Sequence, residues 1–286
     1  MDVTRAWDLD DRAFSPGWQR RESTRRRPSV DYRGQVAVVT GASAGLGRQL
    51  VMDLARAGAL VISLARREEP LRALVAEVRA WSPESKYRVC DLAEAGAFVT
   101  ELEQIESEFG RIDLLFNVAG IGGIMRTEPL TSGALDLIME VNFFAPVRGM
   151  LTVLPGMRRR RSGAIANVSS DDARAPGPGA ADYAASKAAL SAATESLAYA
   201  TSSDGVYLHV VYPGWMPTEM GLKAVREGGM RSPPRLVRHS AMEVSALVLD
   251  RMYDPRVEIN TAALPLVAPL LRSLAPRIYQ RMRAAG

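Results

Sequence analysis

Residues 35–47 read QVAVVTGASAGLG, and this stretch decides which fold the chain can adopt. The apolar, β-branched run 35–40 is typical of a strand buried on both faces of a parallel sheet. The loop glycines permit a tight turn, and a helical pattern follows until Gly58 closes it. A glycine-rich loop between a strand and a helix brings backbone N–H groups and the positive end of the helix dipole together, so it predicts a pyrophosphate site.

Strand and helix patterns alternate along the rest of the chain. Further strands are predicted at 60–65, 87–90, 112–117, 164–168, 206–212 and 256–260, and further helices at 68–80, 92–109, 132–157, 181–201 and 240–252. This alternation indicates a parallel sheet, and right-handed crossovers make it doubly wound. We therefore predict an α/β protein whose single Rossmann-fold domain, residues 34–262, has about seven strands with helices on both faces.

Composition excludes several classes of function. The only cysteine is Cys90, so no internal disulfide framework or cysteine-ligated zinc site can form, and a reducing cytoplasm is the expected setting. Two histidines are too few for a histidine-rich metal site, and we predict no metal. The net charge of +4 comes from scattered arginines without a nucleic-acid-binding motif, so we predict no nucleic-acid partner.

Tyr183 and Lys187 are four residues apart in a predicted helix, which puts them on one face. A free tyrosine has a pKa near 10, and lowering it by about three units requires roughly 4 kcal/mol. A cation about 4 Å away at an effective dielectric constant of about 20 supplies a term of that size. We therefore expect Lys187 to lower the pKa of Tyr183 and make it an acid–base group. By itself, this spacing would more often be a surface pair.

Six motifs in this order resemble those of the short-chain dehydrogenase/reductase family. They are TGASAGLG at 40–47, Asp91 after a strand, NVAG at 117–120, Asn142 in a helix, Ser170 with Tyr183 and Lys187, and PGWMPT at 213–218. The resemblance extends from about Gln35 to at least Met252. Val118 departs from the family's N-N-A-G motif, and Ala173 stands where the family often has glycine.

The resemblance implies a hydride transfer between a nicotinamide cofactor and a carbonyl or secondary alcohol. Tyr183 would exchange the hydroxyl proton, Lys187 would bind the nicotinamide ribose, Ser170 would orient the substrate oxygen, and Asn142 would support a proton relay. The resemblance also implies cofactor contacts at Gly41, Ser43, Gly45, Leu46, Gly47, Arg66, Arg67, Asp91, Leu92, Asn117, Ala119, Gly120, Tyr183, Lys187, Pro213, Gly214, Met216 and Thr218. Asp171 and Asp172 follow Ser170, and we expect them to be solvated loop charges rather than determinants of substrate choice.

The end of the second strand favours NADP(H) over NAD(H). NAD-preferring relatives have an acid there that binds the ribose hydroxyls, whereas this chain has Ala65 followed by Arg66 and Arg67. The planar arginine fork suits a 2′-phosphate, which a carboxylate would repel. The alternative is that both arginines only precede a solvated helix.

The substrate side is less determined. Residues 215–241 are predicted to form a lid rich in methionine and other apolar residues, which suits a lipophilic substrate as well as ordinary packing. Residues 1–33 are predicted to be a basic, flexible tail. Residues 263–286 mix apolar and basic positions, so this extension could contact a membrane surface, close the substrate cleft or pack between subunits. We accordingly predict a cytoplasmic protein, with membrane association through this extension as the alternative.

Three classes of protein fit the chain. The first is an NADP(H)-dependent oxidoreductase that acts on a small carbonyl or alcohol, and its family suggests a homodimer or homotetramer. The second is a non-catalytic NADP-binding regulatory or scaffold protein, against which the intact set of Ser170, Tyr183, Lys187 and Asn142 argues. The third is a nucleotide-sugar epimerase, which typically has a different glycine spacing and a longer C-terminal domain.

Overall fold

The computed structural model describes residues 30–122, 130–226, 238–261 and 264–284, and in the last range it describes the side chains of 267–281. Most of the predicted N-terminal tail and the middle of the predicted lid, with Met230 and Leu236, lie outside these residues. The strands are β1 Val36–Thr40, β2 Leu60–Ala65, β3 Lys86–Val89, β4 Leu114–Asn117, β5 Gly163–Val168, β6 Val206–Tyr212 and β7 Glu258–Asn260.

Helices connect these strands. They are α1 Gly45–Arg56, α2 Glu68–Val78, α3 Ala97–Phe109, α4 Ser132–Met139, α5 Ala145–Arg160, α6 Ala181–Thr201, α7 Glu219–Arg226, α8 Ala241–Arg251, α9 Leu264–Leu274 and α10 Pro276–Ala284. A π-helical segment, Glu140–Phe144, joins α4 to α5, and a 3₁₀ turn, Asp171–Ala173, follows β5.

The seven described strands form one parallel sheet in the order β3-β2-β1-β4-β5-β6-β7. The chain order reverses between β1 and β4, which is the point where such sheets bind ligands at the carboxyl ends of their strands. The predicted doubly wound Rossmann fold is confirmed.

The central strands are apolar throughout because both faces of the sheet are covered. Every residue of β1, β4 and β5 is buried. On one face, Val39 belongs to the same apolar cluster as Leu50 of α1 and Val248 of α8. On the other face, Val38 belongs to a cluster with Val153 of α5. Burial on both sides explains why these strands read as continuous apolar runs.

Three local features differ from the sequence prediction. The third helix begins at Ala97 rather than at 92, because Gly96 has a φ of 87° that a helix cannot continue through. The predicted helix at 132–157 contains the π-helical segment that carries Asn142. The predicted lid contains a helix, α7, that was not predicted because its eight residues are too few to show a helical repeat of apolar positions.

The run Ser132–Arg160 is long and apolar enough to cross a membrane by length and composition alone. Half of its most apolar window is buried in the protein. Gly149, in the middle of this run, lies so close to the ring of Phe98 on α3 that an added Cβ would overlap it. We therefore interpret this run as a core helix of the domain.

Candidate active site

The glycine loop after β1 packs directly on the turn after β4. Gly41 has a φ of 68°, and a Cβ there would lie 2.9 Å from the Ala119 Cα. A Cβ on Gly47 would overlap the Gly41 carbonyl oxygen. Glycine is therefore required at both positions, because the backbones of loop, helix and neighbouring turn approach to contact.

Thr40 joins these two segments through its side chain. Its Oγ1 accepts hydrogen bonds from the backbone N–H groups of Val118 (3.0 Å) and Ala119 (3.1 Å), and donates to the Phe116 carbonyl (3.3 Å). The sequence predicted no role for Thr40, although it belongs to the motif at 40–47. The Thr-Gly pair that opens the loop is the sequence feature that could have indicated this role.

The start of α1 is suited to an anion. Its N-cap residue, Ala44, offers no side-chain acceptor, and its first turn holds no acidic residue. The N–H groups of Gly45, Leu46 and Gly47 belong to this uncapped first turn, where the helix dipole is positive. Three predicted contacts therefore lie where a pyrophosphate fits.

Two arginines from the end of β2 lie beside this loop. Arg67 Nη2 donates to Ser43 Oγ at 3.3 Å, and its Nη1 lies 3.3 Å from a carboxylate oxygen of Glu219 in α7. Arg66 Nη1 lies 3.9 Å from a carboxylate oxygen of Asp91, which follows β3. The structure thus brings four predicted cofactor residues to the same end of the sheet. Both arginine side chains are more than half exposed and can reach a ligand.

Lys187 is buried beneath the turn after β4. Its Nζ donates to the carbonyl of Val168 at 2.8 Å. A Cβ on Gly120 would lie 3.2 Å from Nζ and 3.3 Å from Asn142 Oδ1, so this glycine keeps open the space beside the amine. Burial lowers the pKa of Lys187 to about 8. The ammonium therefore titrates much closer to neutral pH than an exposed lysine.

Asn142 holds the segment after β4 against the helix that carries Lys187. Its Oδ1 accepts from Ile121 N–H and its Nδ2 donates to the Ile121 carbonyl, both at 2.9 Å. Nδ2 also donates to Ser186 Oγ at 3.0 Å. The π-helical segment aims this side chain inward, a use found often at functional sites. Sequence reasoning missed Ser186 as its partner.

Ser170 and Tyr183 meet at the carboxyl end of β5. Burial raises the pKa of Tyr183 to about 12, and a hydrogen bond with the Ser170 hydroxyl opposes that rise. The ring centroid of Tyr183 lies 6.0 Å from Lys187 Nζ. The expectation that Lys187 lowers the pKa of Tyr183 is therefore wrong for the protein alone, because burial dominates and the amine is bonded to Val168.

Asp171, directly after Ser170, also differs from expectation. Asp171 is half-buried, one of its oxygens is buried without a hydrogen-bond partner among the described residues, and burial raises its pKa to about 6. It is therefore not a solvated loop charge. The backbone N–H of Asp172 donates to Ser170 Oγ at 3.2 Å, so the serine hydroxyl keeps its own proton for donation to Tyr183 or to a substrate oxygen.

Arg174 fastens this turn to the edge of the sheet. Its guanidinium donates to Asn260 Oδ1 (2.6 Å), pairs with Glu258 (2.5 Å) and lies 3.4 Å over the ring of Tyr212. Asn260 and Glu258 belong to β7. Directly after this strand, Thr261 Oγ1 accepts a hydrogen bond from the Gly214 N–H at 2.7 Å. The end of β7 thus holds two sides of the site, the turn after Ser170 and the loop that begins at Pro213. No sequence pattern indicated either contact.

The remaining predicted cofactor residues differ in what they can offer. Thr218 packs against the glycine loop, since its Cγ2 lies 3.2 Å from the position of a Cβ built on Gly45. Met216 packs partly against the core. Leu92 is buried, and Asn117 donates from its Nδ2 to Asn167 Oδ1 at 2.7 Å. The Asn117 side chain is therefore used inside the sheet, where a ligand can meet only its backbone.

Comparison with known proteins gives this arrangement a family. The model of the short chain dehydrogenase family matches residues 35–228, and the chain belongs to that family of oxidoreductases. It is 31% identical over 267 residues to dehydrogenase/reductase SDR family member 7B of Bos taurus, covering 88% of this chain and 81% of that protein.

Two further similarities are informative. A short chain dehydrogenase of Pseudocercospora fijiensis is 40% identical over 194 residues, which are 66% of this chain and 62% of that one, so the match spans less than two thirds of the fungal protein. The solved 3-oxoacyl (acyl-carrier-protein) reductase of Agrobacterium tumefaciens C58, with NADP bound, matches with a TM-score of 0.73 and 27% identity. That match covers 84% of this chain and 97% of the reductase.

Proposed function

We propose that this oxidoreductase uses NADPH to reduce a carbonyl group of a lipophilic small molecule to an alcohol. The observation that carries the proposal is the convergence of Ser170, Tyr183 and Lys187 at the carboxyl end of β5, beside the uncapped start of α1. The bound nicotinamide would supply the hydride. The chain would supply the proton, the orientation of the oxygen and the binding of the cofactor.

The protonation state of Tyr183 favours reduction. With its pKa raised to about 12, this phenol keeps its proton at neutral pH and can donate it to a carbonyl oxygen that is becoming an alkoxide. Ser170 would hold the same oxygen by a hydrogen bond, because its own Oγ already accepts from Asp172 N–H. Lys187 would bind the nicotinamide ribose with the protons that Val168 does not use. Asn142 would keep the turn after β4 in place for a proton relay.

The choice of NADP(H) rests on the neighbourhood of Arg67. A 2′-phosphate carries nearly two negative charges, and Ser43 Oγ with the Arg67 fork offers donors at one place. Arg66 stands beside Asp91, where the adenosine would lie in this proposal. The agrobacterial reductase, which has NADP bound, supports the same assignment for this chain.

The lipophilic character of the substrate is inferred from the segment after β6. Trp215 and Met216 begin it, and Met220 in α7 is 38% exposed. The predicted tail cannot extend to residue 33, because Tyr32 is fully buried in the core and its Oη donates to the Leu249 carbonyl at 2.6 Å, so the domain begins before residue 34. We propose that the domain continues to 262, with a lid over 215–241, and is followed by an extension at 263–286. We assign residues 215–241 as a lid because this segment directly follows β6, on the side of the site where the nicotinamide would bind.

We propose a homodimer or homotetramer in the cytoplasm. Leu137, Phe144 and Leu151 are exposed apolar residues spaced seven apart along the run that contains α4 and α5. Such a row suits a helix of a second copy. A second partner proposal is peripheral contact of the extension with a membrane.

The test is a panel of lipophilic ketones and aldehydes assayed with NADPH and with NADH. The proposal expects at least one ketone to be reduced, with a higher kcat/KM for NADPH. Tight NADPH binding without turnover of any carbonyl or alcohol would instead favour the hypothesis of a non-catalytic regulatory or scaffold protein. Turnover with NADH alone would overturn the cofactor assignment while leaving the oxidoreductase in place.

A further inference from the structure

The helices α9 and α10 carry a row of exposed apolar side chains. Val267, Leu270, Leu274 and Ile278 are between 52% and 83% exposed. The first three are at i, i+3 and i+7 of α9, so they share one face of that helix, and Ile278 is an exposed apolar residue of the next helix, α10. Contiguous exposed apolar patches of this kind mark interaction surfaces more often than scattered single residues do.

Basic side chains accompany the row. Arg272, Arg277 and Arg281 are exposed, and Arg277 and Arg281 are one turn apart. Residues 259–286 contain four arginines and neither aspartate nor glutamate. Among the described residues, no ion pair includes Arg272, Arg277 or Arg281. The surface therefore combines exposed apolar groups with uncompensated positive charge.

We propose that α9 and α10 lie on the surface of an anionic phospholipid membrane, with the row Val267, Leu270, Leu274 and Ile278 in the boundary between headgroups and acyl chains. This inference deepens the proposed membrane contact by naming its lipid chemistry and its residues. Arginines beside the row would meet the headgroup phosphates. A helix with an apolar face and a basic polar face binds membranes in this way, through buried apolar area together with attraction to anionic lipid.

Charge argues against a second copy of the chain as the occupant. In a two-fold interface, the same patch faces itself. The exposed Arg272, Arg277 and Arg281 would then be brought near the same three residues of the partner copy, and no acid in residues 259–286 could compensate them. An anionic lipid surface provides the opposite charge without needing a matched acidic patch.

The experiment is sedimentation of the full chain with vesicles of phosphatidylcholine, with and without phosphatidylserine. We expect binding to the vesicles that contain phosphatidylserine and little binding to phosphatidylcholine alone. Raising the salt from about 0.1 M to about 1 M shortens the Debye length from about 10 Å to about 3 Å, so most of the binding should be lost. Equal binding to both vesicles, or none to either, would overturn the proposal.

Matched variants separate this surface from general basicity. Each basic residue near an anionic membrane contributes about a fivefold change in affinity, so Arg272→Gln with Arg277→Gln should weaken vesicle binding about 25-fold. Leu270→Gln with Leu274→Gln should weaken it by at least as much. The control, Arg158→Gln with Arg159→Gln, changes the same number of exposed arginines in the last turn of α5 and should have little effect. An equal loss in this control would overturn the assignment of the surface.

Two further measurements distinguish the other occupants. Light scattering should give the same molar mass for the two double variants of the extension and for the wild type. A change of mass would show that a second copy covers the row. Reduction of a soluble ketone without vesicles should also be unchanged, and a changed KM would indicate that the extension closes the cleft. Because vesicle binding is measured without substrate, its failure leaves the proposed reductase activity untouched, and the converse also holds.

Discussion

Replacement of Arg67 by alanine is expected to weaken the binding of NADPH and to leave the binding of NADH unchanged. Arg67 is held over the glycine loop by Ser43 Oγ and by Glu219, each 3.3 Å away. A 2′-phosphate bound there would face its guanidinium, whereas NADH has only a hydroxyl at that position.

The size of the effect follows from the exposure of Arg67. At about 4 Å, a pair of unit charges interacts by about 1 kcal/mol in water and about 4 kcal/mol at an effective dielectric constant of about 20. The Arg67 side chain is 51% exposed, so the interaction lies toward the aqueous limit. For a phosphate of nearly two charges we take about 2 kcal/mol, which is about 30-fold in Kd. Loss of the exposed pair with Glu219 should hardly change stability.

The assay is a fluorescence titration of both cofactors into the wild type, Arg67→Ala and a control, Arg72→Ala. Arg72 is an exposed arginine of α2 that pairs with Glu69. The control should bind NADPH as the wild type does. Equal weakening of NADPH and NADH by Arg67→Ala, or no weakening of either, would refute the role of Arg67 in cofactor choice.

Two further predictions concern the turn after Ser170. Arg174→Gln should lower kcat about tenfold with a smaller change in KM, because the turn loses its contacts to β7. Arg174→Lys should restore part of the lost kcat. The control, Arg88→Gln, removes an arginine that pairs with Glu101 away from this turn and should leave kcat unchanged. Burial raises the pKa of Asp171 from 3.8 to about 6, so the folded state binds this proton more tightly than the unfolded chain. The free energy of unfolding should therefore fall by about 2 kcal/mol from this group as the pH rises from about 4 to 6, and Asp171→Asn should remove that component in urea titrations. Parallel pH dependences for variant and wild type would contradict the burial argument.

The fold could be predicted because its signals are local. Strands buried on both faces must be apolar at every position, as in β1, and the helices between them repeat at 3.6 residues. The convergence of Ser170, Tyr183 and Lys187 could also be predicted, since parallel strands place their carboxyl ends at one edge of the sheet. The order of the six motifs predicted membership of the short-chain dehydrogenase/reductase family, which the comparisons confirm.

The electrostatics of the site could not be predicted from spacing. The four-residue interval between Tyr183 and Lys187 gives a shared helix face, but not the direction of the amine, which is set by the carbonyl of Val168 on β5. Burial of the phenol then decides the sign of its pKa shift. The clamp made by Arg174 on Asn260 spans 86 residues, so no local pattern encodes it. Tertiary contacts of this kind are what the sequence does not display.

In the proposed function, Tyr183 donates the proton in an NADPH-dependent reduction. The most direct test compares Tyr183→Phe with the wild type, by NADPH oxidation in the presence of a ketone that the wild type reduces and by NADPH titration. We expect a kcat/KM about 10³-fold lower in the variant, with the Kd for NADPH nearly unchanged, because the phenylalanine keeps the ring and loses only the acid. Turnover close to that of the wild type would show that Tyr183 is not the proton donor.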